Sequence, residues 1–251
     1  MEITWLDPPE HPRVRRGEVD VWLVSLDLPH PGAWEILSTG ERERADRFHF
    51  ARDRRRFITA RAHLRLLIGE YLAVPPASVR FVYSARGKPA VEPGDARLEF
   101  NMAHSAEVAL YAFTEGAAIG VDVERIREGP TEEGIAERFF SPREREDLAA
   151  LPLSEQRAAF FRCWTRKEAF IKAIGEGLAF GLSQFSVSLL LGEPARLRET
   201  AHDPAEAAGW TLLALDPGEG YVGALAVRGP VAAARFYRAQ QEPADTSATG
   251  E

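Results

Sequence analysis

The segment Ala117-Ala118-Ile119-Gly120-Val121-Asp122-Val123-Glu124 decides the reading of this chain. Its apolar residues recur at every second position, the period of a half-buried strand. Alternation puts Ile119, Val121 and Val123 on one face, and Asp122 with Glu124 on the other. Two like charges two residues apart on one strand face repel each other. Either that face is fully wet, or a cation lies against it. Carboxylate oxygens suit a hard divalent ion such as Mg²⁺.

Upstream, Val19 to Leu26, Leu98 to Asn101 and Val108 to Phe113 also read as strands. Phe100-Asn101-Met102-Ala103-His104-Ser105 sets a histidine at a strand end. Its His-Ser adjacency makes no catalytic triad, and no G-x-S-x-G elbow occurs. Val79 to Tyr83 reads as a short strand leading into Ala85-Arg86-Gly87-Lys88-Pro89, a tight turn presenting two cations. Ser38-Thr39-Gly40 opens a short helix. From Ala51 to Ala73, Phe57, Ala60, Leu64, Leu67, Ile68 and Tyr71 fall on one stripe at spacings of three and four, which predicts a long helix. Pro75-Pro76 ends it.

Downstream the theme returns. Ser141-Pro142-Arg143-Glu144 has a capping serine, a proline at the first helical position and an acid in the first turn. Glu155 to Ile174 reads as a second long helix, closed by Gly175 and Gly177. Phe185 to Leu191, Thr211 to Leu215, Tyr221 to Val227 and Ala234 to Tyr237 read as strands. The pattern predicts an α+β fold of two similar halves. On the second long helix, Glu168 and Lys172 are one turn apart. A plain surface pair of this kind is worth only about 0.2–0.5 kcal/mol. The helix is apolar nearly all round, through Phe160, Phe161, Trp164, Phe170 and Ile171, so the pair is expected to face a cleft.

The whole chain has 251 residues, 45% hydrophobic and 27% charged, an ordinary globular composition. The formal charge of −7 argues against a uniformly basic nucleic-acid binder. Between Glu41 and Arg65, nine arginines face four acids, so that stretch carries about +5. It reads either as a solvated helix face or as one wall of a site for a small polyanion. The single cysteine, Cys163, sits beside Trp164 and reads as a buried small hydrophobe. The first ten residues hold no apolar run, and no stretch of 18 apolar residues occurs, so neither a secretory signal nor a membrane span is expected and a cytoplasmic location is the default.

Taken together and in this order, the segments resemble the large monomeric 4′-phosphopantetheinyl transferases, the surfactin-synthetase-activating type. That family carries G-[IV]-D-[IV]-E, here Gly120 to Glu124, and W-x-x-K-E-[AS]-x-x-K, here Trp164 to Lys172. It also carries a G-K-P turn, here Gly87-Lys88-Pro89, and F-N-x-S-H-S, here Phe100 to Ser105. Arg47-Phe48-His49-Phe50-Ala51-Arg52-Asp53 looks like its N-terminal signature. The likeness spans about residues 40 to 190. Where the family usually has Ser before the His, this chain has Ala103, which removes a hydroxyl expected to touch a coenzyme A phosphate.

The resemblance implies two similar α/β halves packed as an intramolecular pseudo-dimer, with the active site between them. The expected units are residues 1–115, residues 116–239, and a disordered tail over 240–251. It implies coenzyme A as donor, Mg²⁺ as cofactor, and the serine of an apo acyl or peptidyl carrier protein as acceptor, with 3′,5′-ADP released. Asp122, Glu124 and Glu168 would hold the metal. Arg44, Arg86, Lys88, Asn101 and His104 would bind the nucleotide end of coenzyme A, and Lys172 the pyrophosphate. Asp122, Glu168 and Lys172 would carry the chemistry, with Glu168 or a metal-bound water as base. A monomer is expected, without nucleic acid or membrane partners. The acceptor helix is expected near Phe139, Phe140 and the helix from Pro142 to Ala150. Two other readings stay open: a non-catalytic module that binds coenzyme A or a carrier, and an Mg²⁺-dependent nucleotide phosphohydrolase.

Overall fold

A computed structural model describes residues 3–92, 97–127, 132–201 and 205–239; the side chains of residues 132, 133, 178 and 179 are not among those described. The expected tail at 240–251 lies outside the described residues. The elements run β1 (Glu18–Ser25), α1 (Thr39–Asp46), α2 (Ala51–Leu72), β2 (Phe81–Tyr83), β3 (Pro89–Val91), β4 (Leu98–Ser105), β5 (Val108–Glu115) and β6 (Ile119–Arg125). They continue with α3 (Glu132–Phe139), α4 (Pro142–Ala149), α5 (Leu153–Ile174), β7 (Phe185–Val187), β8 (Leu197–Thr200), β9 (Trp210–Leu215), β10 (Tyr221–Arg228) and β11 (Ala233–Arg238). The fold is α+β, as expected.

Two sheets stand at its centre, one ordered β11-β1-β5-β4 and the other β6-β10-β9. Period-two patterning explains how they stack. Trp22 and Val24 on β1, with Tyr111 and Phe113 on β5, turn outward and pack on Ala60, Leu64, Leu67 and Ile68 of α2. Val21, Leu23, Leu110 and Ala112 turn inward and meet Ile119, Val121, Val123 and Leu225 of the second sheet. The opposite face of that sheet, with Leu212, Ala224 and Ala226, packs on α5 through Ala169, Phe170 and Ala173. The layers are therefore helix, sheet, sheet, helix, and each long helix covers one outer face.

Local chemistry sets the helix ends. Ser38 caps α1 and Ser141 caps α4, each in a reciprocal capping box, with Glu41 and Glu144 respectively. Helix α2 stops at Ala73, which takes a left-handed φ of 53°, and α5 stops at Gly175, with φ 74°. Sequence patterning gave no sign of β3, α3 or β8, which are short. Strand β11 departs from the expected division. Its residues fall in the expected second unit, 116–239, yet it pairs in parallel with β1, Val21 opposite Phe236. β1 is buried along six of its eight residues. It needs a partner on both edges to satisfy its backbone, and β5 fills only one.

Candidate active site

Gly120 brings the site together. A Cβ at this position would lie 2.1 Å from the Ala169 carbonyl oxygen and 2.4 Å from the Ala173 nitrogen. Only glycine lets α5 lie this close to β6, which sets Asp122 and Glu124 beside Glu168 and Lys172. Ile119, Val121 and Val123 are buried in the inter-sheet core, so the acids occupy the α5 side, as alternation requires.

Asp122 is buried, at 4% exposure. Its Oδ1 accepts from Lys172 Nζ at 2.6 Å. Its Oδ2 is buried without a hydrogen-bond partner among the described residues. Burial pushes the carboxyl up to about 7, with Lys172 opposing the rise and the Glu124 and Glu168 charges adding to it. Glu168 is half-buried and also raised, first by burial and then by Glu124, against the pull of Lys172. Lys172 thus pairs across to the strand rather than with Glu168 on its own helix. Glu124 accepts from Ser105 Oγ at 2.9 Å.

These carboxylates do not form a closed metal cage: no cluster of three or more His, Cys, Asp or Glu close enough to hold an ion occurs among the described residues. The donor set still fits a hard divalent cation. It is all oxygen, its charges repel, and one buried carboxylate oxygen has no donor.

Beside the acids lies a cleft of about 250 Å³, lined by Arg86, Gly87, Lys88 and Pro89 of the turn between β2 and β3, by Asn101 and Met102 of β4, and by Glu168 and Lys172 of α5. Three of the expected coenzyme-binding residues, Arg86, Lys88 and Asn101, therefore line one cleft with Glu168 and Lys172. Lys88 Nζ donates to the Ile119 and Ala173 carbonyls, at 3.1 and 3.0 Å. It fastens the turn to β6 and α5, keeps at most one N–H for a ligand, and is held below the usual lysine range by burial. Asn101 Oδ1 accepts the Val121 N–H at 2.9 Å, so it joins the two sheets. Arg86 donates to the Glu176 carbonyl and is exposed. His104 is reachable from solvent. The protein around it, then the Lys172 charge, hold its imidazole below the usual range; Glu124 opposes this and Arg44 adds to it.

Ala103 departs from expectation. It is 5% exposed and belongs to the inter-sheet core. By alternation a serine there would face that core, on the side of the strand opposite to His104.

The arginine-rich segment divides in two. Arg61 and Arg65 pair with Glu41, Arg56 with Asp27, and Arg54 with Asp46. Arg44 and Arg47 have no acidic partner among the described residues. They line an open recess with Gly40 and Phe48, and the Arg44 guanidinium lies 5.3 Å from the Phe57 ring centroid. A larger recess, about 710 Å³, lies between α3, α4 and the start of α5, lined by Ile126, Ala136, Arg145, Leu148, Leu153 and Phe160 among others. The expected Phe139 and Phe140 do not form that surface: Phe140 is buried and stacked on Phe160, and Phe139 packs on Trp164.

Sequence reading missed two supports. Lys167, next to Glu168, is fully buried; its Nζ meets Glu144 at 2.7 Å and donates to the Phe185 carbonyl at 2.7 Å. Ser105, the sequence neighbour of His104, is the second, its Oγ donating to Glu124. Cys163 is buried, its thiol pushed well up by burial, as an inert core residue requires.

Residues 118–226 match the family model of the 4′-phosphopantetheinyl transferase superfamily, and residues 29–115 match that of the 4′-phosphopantetheinyl transferase N-terminal region. The chain is 41% identical over 234 residues to the 4′-phosphopantetheinyl transferase HetI of Nostoc sp., covering 91% of this chain and 95% of that one. It is 35% identical over 154 residues to the 4′-phosphopantetheinyl transferase Sfp of Bacillus subtilis, covering 61% and 67%. A solved holo-[acyl-carrier-protein] synthase of Thermotoga maritima aligns at TM-score 0.36 and 22% identity, over 45% of this chain and 64% of that one, a likeness too slight to argue from. The full-length match to HetI, with the two family models side by side, settles the membership: this chain belongs to the 4′-phosphopantetheinyl transferase family.

Proposed function

We propose that this enzyme moves the 4′-phosphopantetheine group of coenzyme A onto a serine of an apo carrier protein, with Asp122, Glu124 and Glu168 as the Mg²⁺ ligands. The observation that supports the reading is the buried Oδ2 of Asp122, which has no hydrogen-bond partner among the described residues, next to a cleft lined by Glu168, Lys172, Arg86 and Lys88. When bound, the metal would neutralise phosphate oxygens and orient the pyrophosphate.

The chain's own residues do the rest. The serine oxygen bonds to the β-phosphorus as the bond to the leaving 3′,5′-ADP oxygen breaks, and the serine proton must go to a base. Glu168 suits that task, because burial raises its carboxyl above the usual glutamate range, which makes it a stronger base, while it stays half-open to the cleft. Lys172 answers the charge that develops on the 5′-phosphate of the departing 3′,5′-ADP. Arg86, Lys88 and His104 line the nucleotide side, and Arg44 with Arg47 takes the outlying phosphate. The apolar recess beside Leu148 and Leu153 suits an acceptor helix, and Arg145 on its wall suits an acidic one.

The competing phosphohydrolase reading differs in what triggers product release. Coenzyme A and Mg²⁺ are incubated with the enzyme, with and without apo carrier, and 3′,5′-ADP is quantified. Release only with carrier is the expected result. Equal release without carrier would make the protein a hydrolase, and no release with any carrier would leave a binding module.

A further inference from the structure

Ser105 closes β4, and its side chain reaches out of its own sheet. Its Oγ donates to Glu124 Oε2 at 2.9 Å and accepts the backbone N–H of Arg125 at 3.1 Å. A hydroxyl has one proton. Since the amide can only donate, that proton is committed to the carboxylate, and the direction of both bonds is fixed.

The strands involved make this contact more than local. β4 is an edge of one sheet and β6 an edge of the other, and no backbone ladder joins them. Side chains bridge the two edges instead. Asn101 Oδ1 holds the Val121 N–H, and Ser105 holds Glu124 and the Arg125 N–H. The two bridges bracket Asp122 to Glu124. Directly after Ser105 the chain turns through Ala106, at a left-handed φ of 51°, which sets where the hydroxyl stands. Without it, Glu124 would be a half-buried carboxylate on a flexible stem, repelled by Asp122 and Glu168.

We propose that Ser105 is a positioning residue for the metal site: its hydroxyl fixes the Glu124 carboxylate so that Glu124 meets the cation together with Asp122. The inference rests on the metal-dependent reading above. Hydrogen-bond partners standing behind metal ligands typically change affinity roughly 10- to 100-fold.

The test uses Mn²⁺ as the probe, titrated into the full-length protein with coenzyme A present, free Mn²⁺ being read by electron paramagnetic resonance. Ser105→Ala is expected to weaken Mn²⁺ binding roughly tenfold or more, with little change in melting temperature. Ser105→Thr, which keeps the hydroxyl, is expected to restore binding. Glu124→Gln is run beside them and is expected to weaken binding at least as much as Ser105→Ala. If Ser105→Ala does not fold, Ser105→Cys decides, since a thiol fills the space but donates poorly. Wild-type affinity in Ser105→Ala or Ser105→Cys, with Glu124→Gln weakened, overturns the positioning role and leaves the metal site standing. Wild-type affinity in Glu124→Gln overturns the metal site itself, and this proposal with it.

Discussion

At the scale of single residues, the placement of the candidate residues was legible because alternation and helical spacing are strict. Asp122 and Glu124 fell on the α5 face of their strand, and Glu168 with Lys172 at the cleft. Contacts that cross between elements were not legible. No spacing rule says that Lys172 pairs with Asp122, that Lys88 spends two protons on backbone carbonyls, or that Ala103 points into a core. Asp122 yields a pH prediction. Its carboxyl ionises near 3.8 ordinarily and near 7 when folded, so folding favours the protonated form. That contribution to stability is complete below about 4 and is lost as pH rises through about 7. In metal-free protein, Asp122→Asn should therefore gain melting temperature relative to wild type as pH goes from 5 to 8. A difference that stays flat with pH would contradict the burial argument. Arg44 is exposed and has no acidic partner among the described residues, so Arg44→Ala should raise the KM for coenzyme A about tenfold, the worth of one charge-assisted hydrogen bond, with kcat little changed. A fall in kcat alone would remove Arg44 from the binding site.

At the scale of elements, both long helices could be read from apolar spacing, and the starts of α1 and α4 from Ser38 and Ser141. Short β3, β8 and α3 escaped because three to eight residues carry too little periodicity. The buried Glu144–Lys167 pair escaped because both residues look like surface charges in sequence, and only the packing of α4, α5 and β7 encloses them. Gly120 is the element-scale hinge of the account. Its Cβ would strike helix backbone, which cannot rotate away as a side chain can. Gly120→Ala should destabilise the fold by about 1–3 kcal/mol in urea unfolding and push α5 from β6, with transfer falling further than stability alone explains. Unchanged activity would show that the spacing of β6 and α5 does not set the site.

At the scale of the molecule, two sheets stacked between two helices place the three acids where the edge strand β6 meets α5, with Lys172 beside them and Arg86 and Lys88 along the adjoining cleft. The net charge of −7 hides this, because six of the nine arginines between Glu41 and Arg65 are taken up by acids or carbonyls while Arg44 and Arg47 have no acidic partner among the described residues. The parallel pairing of β11 with β1 was out of reach of sequence, since it joins residues more than 200 apart, and it makes the first half depend on the end of the second. No helix among the described residues is long and apolar enough to cross a membrane. The central claim is that phosphopantetheine transfer runs on Asp122 and Glu168. The most direct measurement is the intact mass of an apo carrier protein after incubation with coenzyme A, Mg²⁺ and enzyme. Wild type should add one phosphopantetheine to the carrier, while Asp122→Ala and Glu168→Ala, folded by circular dichroism, should add none. Full transfer by either variant would contradict the account.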